Sequence, residues 1–144
     1  NPLHMLKVLG AIANQGAYVE PHLIKSISSD SSFSVLSSAK SVNKSIMSAS
    51  TADKIKEMMR YTMKNQYGDT LFSGLPMCAK TGTAEVGEGK LPHGWMVGFS
   101  QDKTFPVAFA VVVENGDFGI KSAGPIASVL MKNLHSKFND DKYI

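Results

Sequence analysis

The sequence has a single cysteine, Cys78, so no disulfide can form within the chain. One unpaired thiol suits either the cytosol or a sparsely bridged exported bacterial protein. Beside Ala79, on an apolar approach to a strand, Cys78 reads as a small buried side chain rather than a nucleophile. No stretch approaches the ~20 apolar residues of a membrane span, and the N-terminus has no basic leader segment. Any anchor or export signal is therefore expected outside this chain, and the initial Asn1 fits a trimmed or excerpted piece. Charge is not concentrated: 15 basic and 12 acidic residues give a net +3 and are scattered, which argues against a nucleic-acid partner. His4, His22, His93 and His135 lack the spacing with cysteines or carboxylates that a metal site uses, so no metal or cofactor is expected.

What is present suits one domain or a large piece of one. With 43% of its 144 residues apolar, the chain can bury a sizeable core. "NPLHMLKVLGAIANQG" reads as a helix capped by Asn1, opened by Pro2 and ended by Gly16, with Leu3, Leu6, Leu9 and Ala13 as its buried stripe. Residues 26 to 50 hold 12 serines in 25 positions, a serine-rich excursion that "FSVL" and Ile46 anchor to the body. A second helix follows in "TADKIKEMMRYTMKNQYG". Ser50 and Asp53 form its capping box, Ile55, Met58, Met59, Thr62 and Met63 its core stripe, and Gly68 its stop. Three strands are predicted at about 77–85, 93–100 and 107–114, joined by turns holding Gly87, Gly89, Pro92 and Pro106. "VAFAVVVE" is apolar on both alternating faces, which points to an interior strand covered by helices on both sides. A last helix is predicted to start near Pro125, with Ile126, Val129, Leu130, Leu134 and Phe138 facing inward. The order implies an α+β fold, an antiparallel sheet flanked by helices.

The chemistry concentrates in "CAKTGTAEVGEGKLPHGWMVGFS", residues 78 to 100. Alternation puts Thr81 and Thr83 on one strand face and Lys80 and Gly82 on the other. Two hydroxyls one pleat apart can grip a carboxylate, and Gly82 lets another backbone lie close. Lys80 adds a positive field and three donors. The structural alternative is an edge strand guarded by a lysine. "GEGK" (Gly87 to Lys90) lacks the spacing and the final hydroxyl of a phosphate loop and reads as a turn. Trp95 alternates with Val97 and Phe99 and reads as sheet-face packing, while His93 could line a cleft. Glu85 and Glu114 are too far apart in sequence to claim as an acid–base pair.

"KTGT", followed by "HGWMVGFS" and "VAFAVVVENG", resembles the C-terminal third of penicillin-binding protein transpeptidase domains. "NPLHMLKVLGAIANQGAYVEPHLI" and "SAGPIASVLMKNL" match in order too, and the likeness is to class B, monofunctional enzymes. It implies that residues 1–144 are the C-terminal portion of such a domain, with a partial β-lactamase/transpeptidase-like fold. The implied activity is serine acyl transfer, cross-linking peptidoglycan stem peptides and taking β-lactams covalently. By the family's pattern Lys80 and Thr83 are catalytic, and Thr81, Gly82 and Thr83 bind substrate. The resemblance also implies an extracytoplasmic place on the bacterial cell membrane, the anchor lying outside this chain.

The family's S-x-x-K and S-x-N boxes stand upstream of K-T-G on separate elements. The literal matches here, "SSAK" (Ser37 to Lys40), "SVNK" (Ser41 to Lys44) and Ser41-Val42-Asn43, overlap within the serine-rich excursion and are read as decoys. The isolated chain is then expected to be inactive, with the upstream part of the domain as its partner. The open side of "VAFAVVVE" would be apolar and prone to self-association. Two alternatives stay open at this point: a serine β-lactamase or β-lactam sensor, and a noncatalytic binding scaffold.

Overall fold

Asn1 opens the first helix, α1 (Pro2–Ala13): its Oδ1 accepts from Leu3 N–H at 2.9 Å, and Pro2 needs no partner in the first turn. Gly16, at φ +88°, turns the chain out of the helix. The computed structural model describes residues 1–21, 27–29, 32–34 and 41–139. After α1 come β1 (Ala17–Val19), β2 (Ile27–Ser29), β3 (Ser32–Ser34) and β4 (Ser41–Ser45). β2 pairs with β3, and β4 returns to pair with β1, so the serine-rich excursion is anchored to the body at both ends. Helix α2 (Ala49–Thr62) leads through a π-helical turn (Met63–Tyr67) and a 3-10 turn (Asp69–Phe72) into the main sheet. That sheet is an antiparallel meander of β5 (Met77–Ala84), β6 (His93–Ser100) and β7 (Ala108–Val113), in the order β5-β6-β7. Helix α3 (Gly119–Asn139) closes the described chain.

Two apolar layers hold the sheet. On one face Leu9 and Ile12 of α1 and Met59 of α2 pack on Cys78, Val97 and Phe99. On the other, Ala123, Ala127 and Met131 of α3 pack on Met77, Ala79, Met96 and Phe109, joined by Met63, Phe72 and Phe105. Each large side chain fully buried here contributes about 1.5–3 kcal/mol. The α+β class, the strand positions and the helical cover on both faces of β7 match the sequence expectations, but among the described residues β7 stands at an edge of its sheet and not in its interior.

Three helix readings need correction. α2 is capped by Ser48, whose Oγ accepts from Thr51 N–H at 3.1 Å, so Ser50 lies inside the helix and no Ser50–Asp53 capping box forms. Met58 is 61% exposed and leaves the core to Met59 and Met63, while Leu3 of α1 is half exposed. α3 begins six residues before Pro125 and runs through it. Pro125 and Lys121, whose carbonyl loses a helical partner to the proline, both lie on the exposed side, where water can replace it. The buried face is Gly119, Ala123, Ala127 and Met131, continuing to the half-buried Leu134 and Phe138. Ile126, Val129 and Leu130 stand 50%, 59% and 43% exposed. One flank of α3 is tied toward β5, where Ser128 Oγ donates to Leu71 C=O; Ser122, on the other flank, meets Gly94 and Gly116 beside Val113. Helical spacing puts Ile126 and Leu130 on the Ser122 flank of α3, the flank nearer Val113, with Val129 turned further toward solvent.

Candidate active site

Among the described residues, strand β5 has a sheet neighbour on one side only, β6, in the register Lys80↔Val97, Thr81↔Met96, Gly82↔Trp95 and Thr83↔Gly94. The side-chain alternation expected from the sequence holds: Thr81 and Thr83 share the α3 face with Ala79, and Lys80 and Gly82 share the other with Cys78. The backbone alternates as well. Met77 C=O accepts from Arg60 Nη1 at 3.1 Å, and Thr81 N–H donates to the Tyr67 hydroxyl at 3.2 Å. The odd-numbered residues of β5 therefore turn their peptide groups away from β6. Thr83 has the same parity, so its N–H and C=O lie along the outer edge.

Donors gather at that edge. Lys80 Nζ curls round to donate to Thr81 C=O at 2.7 Å, which brings its charge from the opposite face to the strand's rim. Thr81 Oγ1 lies 2.7 Å from the Tyr67 oxygen and is half buried, whereas Lys80 and Thr83 are exposed. Burial pushes the Tyr67 phenol up, but its hydrogen bonds with Thr81 and the positive charge of Lys80 outweigh that and hold it below its ordinary range.

Tyr67 arrives by way of the π-helical turn. Gly68 N–H donates to Met63 C=O at 2.8 Å, and the wider ring carries the chain out of α2 with Tyr67 against the core. The start of β5 is pinned from the same side. Arg60, on α2, holds Asp69 with two parallel bonds of 2.5 and 2.7 Å while reaching Met77 C=O. These bonds hold the Asp69 carboxyl below its usual range. Such a fork fixes the strand's approach as well as its charge.

The other residues singled out in the sequence fall elsewhere. Burial pushes the Cys78 thiol up to about 11, and its Sγ rests on Lys56 C=O, so it is an inert core side chain. Trp95 packs, half buried, against the cluster under α1. His93 pairs with Ala84, one step beyond Thr83, and its Nδ1 accepts from Asn115 N–H at 3.0 Å. It borders a concavity of about 500 Å³ with Val86, Leu91 and Glu114 at the β5–β6 turn. "GEGK" is that turn, with positive φ at Gly87 and Gly89. A second concavity, about 680 Å³, lies at the opposite end of the sheet between Asn14, Phe99 and Pro106. Neither is lined by residues 80 to 83.

Ser37 to Lys40 lie outside the described residues. Ser41 and Lys44 fall on strand β4, and the i, i+3 spacing that brings two groups together on a helix does not do so on a strand. A third literal match, Ser100 to Lys103, starts on the last residue of β6 and runs into the turn after it, and Ser100 Oγ accepts from Asp102 N–H at 3.0 Å. Sequence reasoning missed Tyr67 altogether. Its only signal is a tyrosine directly before the glycine that ends a helix.

Residues 1–132 match the family described as penicillin binding protein transpeptidase domain. The peptidoglycan D,D-transpeptidase PbpA of Mycobacterium tuberculosis is 29% identical over 126 residues, covering 85% of this chain and 26% of that protein. Penicillin-binding protein 2a of Streptococcus pneumoniae is 34% identical over 108 residues, 71% of this chain and 14% of its own. Among solved structures, the imipenem acyl-enzyme complex of penicillin-binding protein A from M. tuberculosis superposes with a TM-score of 0.77 at 29% identity, covering 92% of this chain and 30% of that one. The chain thus spans about a quarter or less of the curated relatives' length. With its sheet, its flanking helices and nearly all its length matched, the chain belongs to the penicillin-binding protein transpeptidase domain family.

Proposed function

We propose that residues 1–144 are the C-terminal portion of a peptidoglycan D,D-transpeptidase domain, supplying the K-T-G wall of its active site. The supporting observation is the outer edge of β5, where the Lys80 ammonium and the outward parity of Thr83 meet on a strand with one open side. A serine from the upstream part of the domain attacks the D-Ala–D-Ala amide of a stem peptide. Its oxygen bonds to the carbonyl carbon, the C–N bond breaks, and the serine proton passes to the departing amine. An amine of a second stem then takes the acyl group and restores the serine. Lys80 belongs to the network that moves the proton and draws the substrate carboxylate toward the Thr81 and Thr83 hydroxyls. The Thr83 N–H is an oxyanion donor, and Gly82 lets the substrate backbone lie close. β-Lactams enter as mimics of the same amide; penicillin-binding protein A of M. tuberculosis forms an acyl-enzyme complex with imipenem. The domain works at the extracytoplasmic face of a bacterial membrane, held there by a segment outside this chain; no described helix is long and apolar enough to cross one.

Labelled penicillin tests this. A protein extended upstream to include an S-x-x-K box is expected to be labelled covalently, and the 144-residue chain is not. Labelling of the short chain at Ser37, Ser41 or Ser100 would place the nucleophile here and overturn the division of labour.

The open side of β7, together with the exposed Ile126 and Leu130 on the neighbouring flank of α3, belongs to this proposal as the surface the upstream part covers. Without that cover the isolated chain is expected to self-associate, with an apparent mass in sedimentation that rises with concentration and hydrophobic-dye binding that falls on extension. A monodisperse, dye-silent monomer would contradict it.

A further inference from the structure

Tyr67, which lies outside the strand's sequence motif, touches Thr81 of the catalytic strand twice. The phenol oxygen accepts from Thr81 N–H at 3.2 Å and stands 2.7 Å from Thr81 Oγ1. A threonine hydroxyl has one proton and two lone pairs. If Thr81 spent its proton on Tyr67, it could offer a substrate carboxylate only lone pairs, and the contact would be repulsive. If Tyr67 donates, the Thr81 proton is left for an incoming anion. A phenol is a far stronger acid than an aliphatic hydroxyl. Lys80 and the Thr81 N–H both favour negative charge on the phenol oxygen, so acidity and local field make Tyr67 the donor.

From this geometry we propose that Tyr67 is a positioning residue for carboxylate recognition: it donates to Thr81 Oγ1 and so aims the Thr81 hydroxyl proton outward at the substrate's carboxylate. The ring is held for the task by packing against the core below α3, and the π-helical turn sets its height above β5. Tyr67 also takes the Thr81 N–H and Arg60 takes the Met77 C=O, so these outward groups of β5 are already satisfied. The proposal rests on the transpeptidase function above and adds a residue to it.

The test is a double-mutant cycle in the upstream-extended protein. Acylation rate constants are measured with benzylpenicillin and with its methyl ester, in which the carboxylate is masked, for the wild type, Tyr67→Phe, Thr81→Val and the double variant. Tyr67→Phe is expected to lose about tenfold toward the acid, the worth of a misdirected hydrogen bond to a charged group, and almost nothing toward the ester. On a Thr81→Val background it should cost nothing further. The acid-to-ester ratio does not depend on the folded fraction, so partial unfolding of a variant cannot imitate the result. Equal losses on acid and ester, an additive double variant, or an unchanged Tyr67→Phe would each overturn the proposal while leaving the transpeptidase function standing. A wild-type protein that takes no penicillin at all would remove that function and this proposal together.

Discussion

Replacing Lys80 with methionine in the upstream-extended protein is expected to slow acylation by benzylpenicillin about a hundred- to ten-thousandfold, the range for losing a positioned proton-transfer group. Its melting temperature should scarcely move. Lys80 is exposed, and its side chain bonds to the next residue's carbonyl, Thr81 C=O. The register of β5 against β6 runs unbroken from Met77 to Ala84 and needs nothing from the ammonium. Exposed substitutions of this kind usually shift stability by no more than about 0.5 kcal/mol. Methionine keeps the length of the stem and removes the charge, so the change isolates the ammonium from the packing of the methylenes. The rival role for a lysine on an edge strand is protective, warding off strand addition. Under that role Lys80→Met would acylate normally and aggregate more readily. Stopped-flow acylation and light scattering on the same sample separate the two, and a rate within threefold of wild type would assign Lys80 to protection.

Legibility in the sequence followed the strength of the local signal. β5, β6 and β7 were readable almost to the residue, because alternating apolar side chains and Gly/Pro turns act over a few positions. Asn1 and Pro2 marked α1 by the same kind of short-range chemistry. α3 was misread because its sheet-facing side is made of Gly119, Ala123 and Ala127, small residues that carry little apolar weight in a periodic pattern. The bulkier Ile126, Val129 and Leu130 carry that weight on the exposed flank. Small residues were selected there by the distance between helix and sheet, which is a tertiary quantity. The faces of Lys80, Thr81, Gly82 and Thr83 follow from alternation and were legible. Which edge of β5 is open depends on neighbours up to 23 residues away in the chain, and the part played by Tyr67 on a partner 14 residues away.

Two glycines near this strand should respond to alanine in opposite ways. A Cβ on Gly119 would stand 2.1 Å from Trp95 C=O and 2.6 Å from Gly82 C=O, both backbone atoms of the central sheet. Neither can rotate away, so Gly119→Ala must lift the first turn of α3 off the sheet and strip cover from Ala123 and the layer beneath it. We expect a loss of about 3 kcal/mol, the upper end of the overpacking range, seen as a melting temperature lower by about 10 °C. Gly82 itself is different. A Cβ there would meet Trp95 Cβ at 3.4 Å, an ordinary contact, and its φ is not positive. The fold does not require glycine at position 82, so the requirement must come from what lies against the strand. Gly82→Ala should therefore melt within a few degrees of wild type yet acylate about a hundredfold more slowly, since a shift of about 1 Å in the bound substrate is enough for that. Differential scanning calorimetry and penicillin acylation on both variants decide the matter. If Gly82→Ala is as unstable as Gly119→Ala, or stable and fully active, the close approach of a substrate backbone at Gly82 is refuted and the strand's glycine is a matter of packing alone.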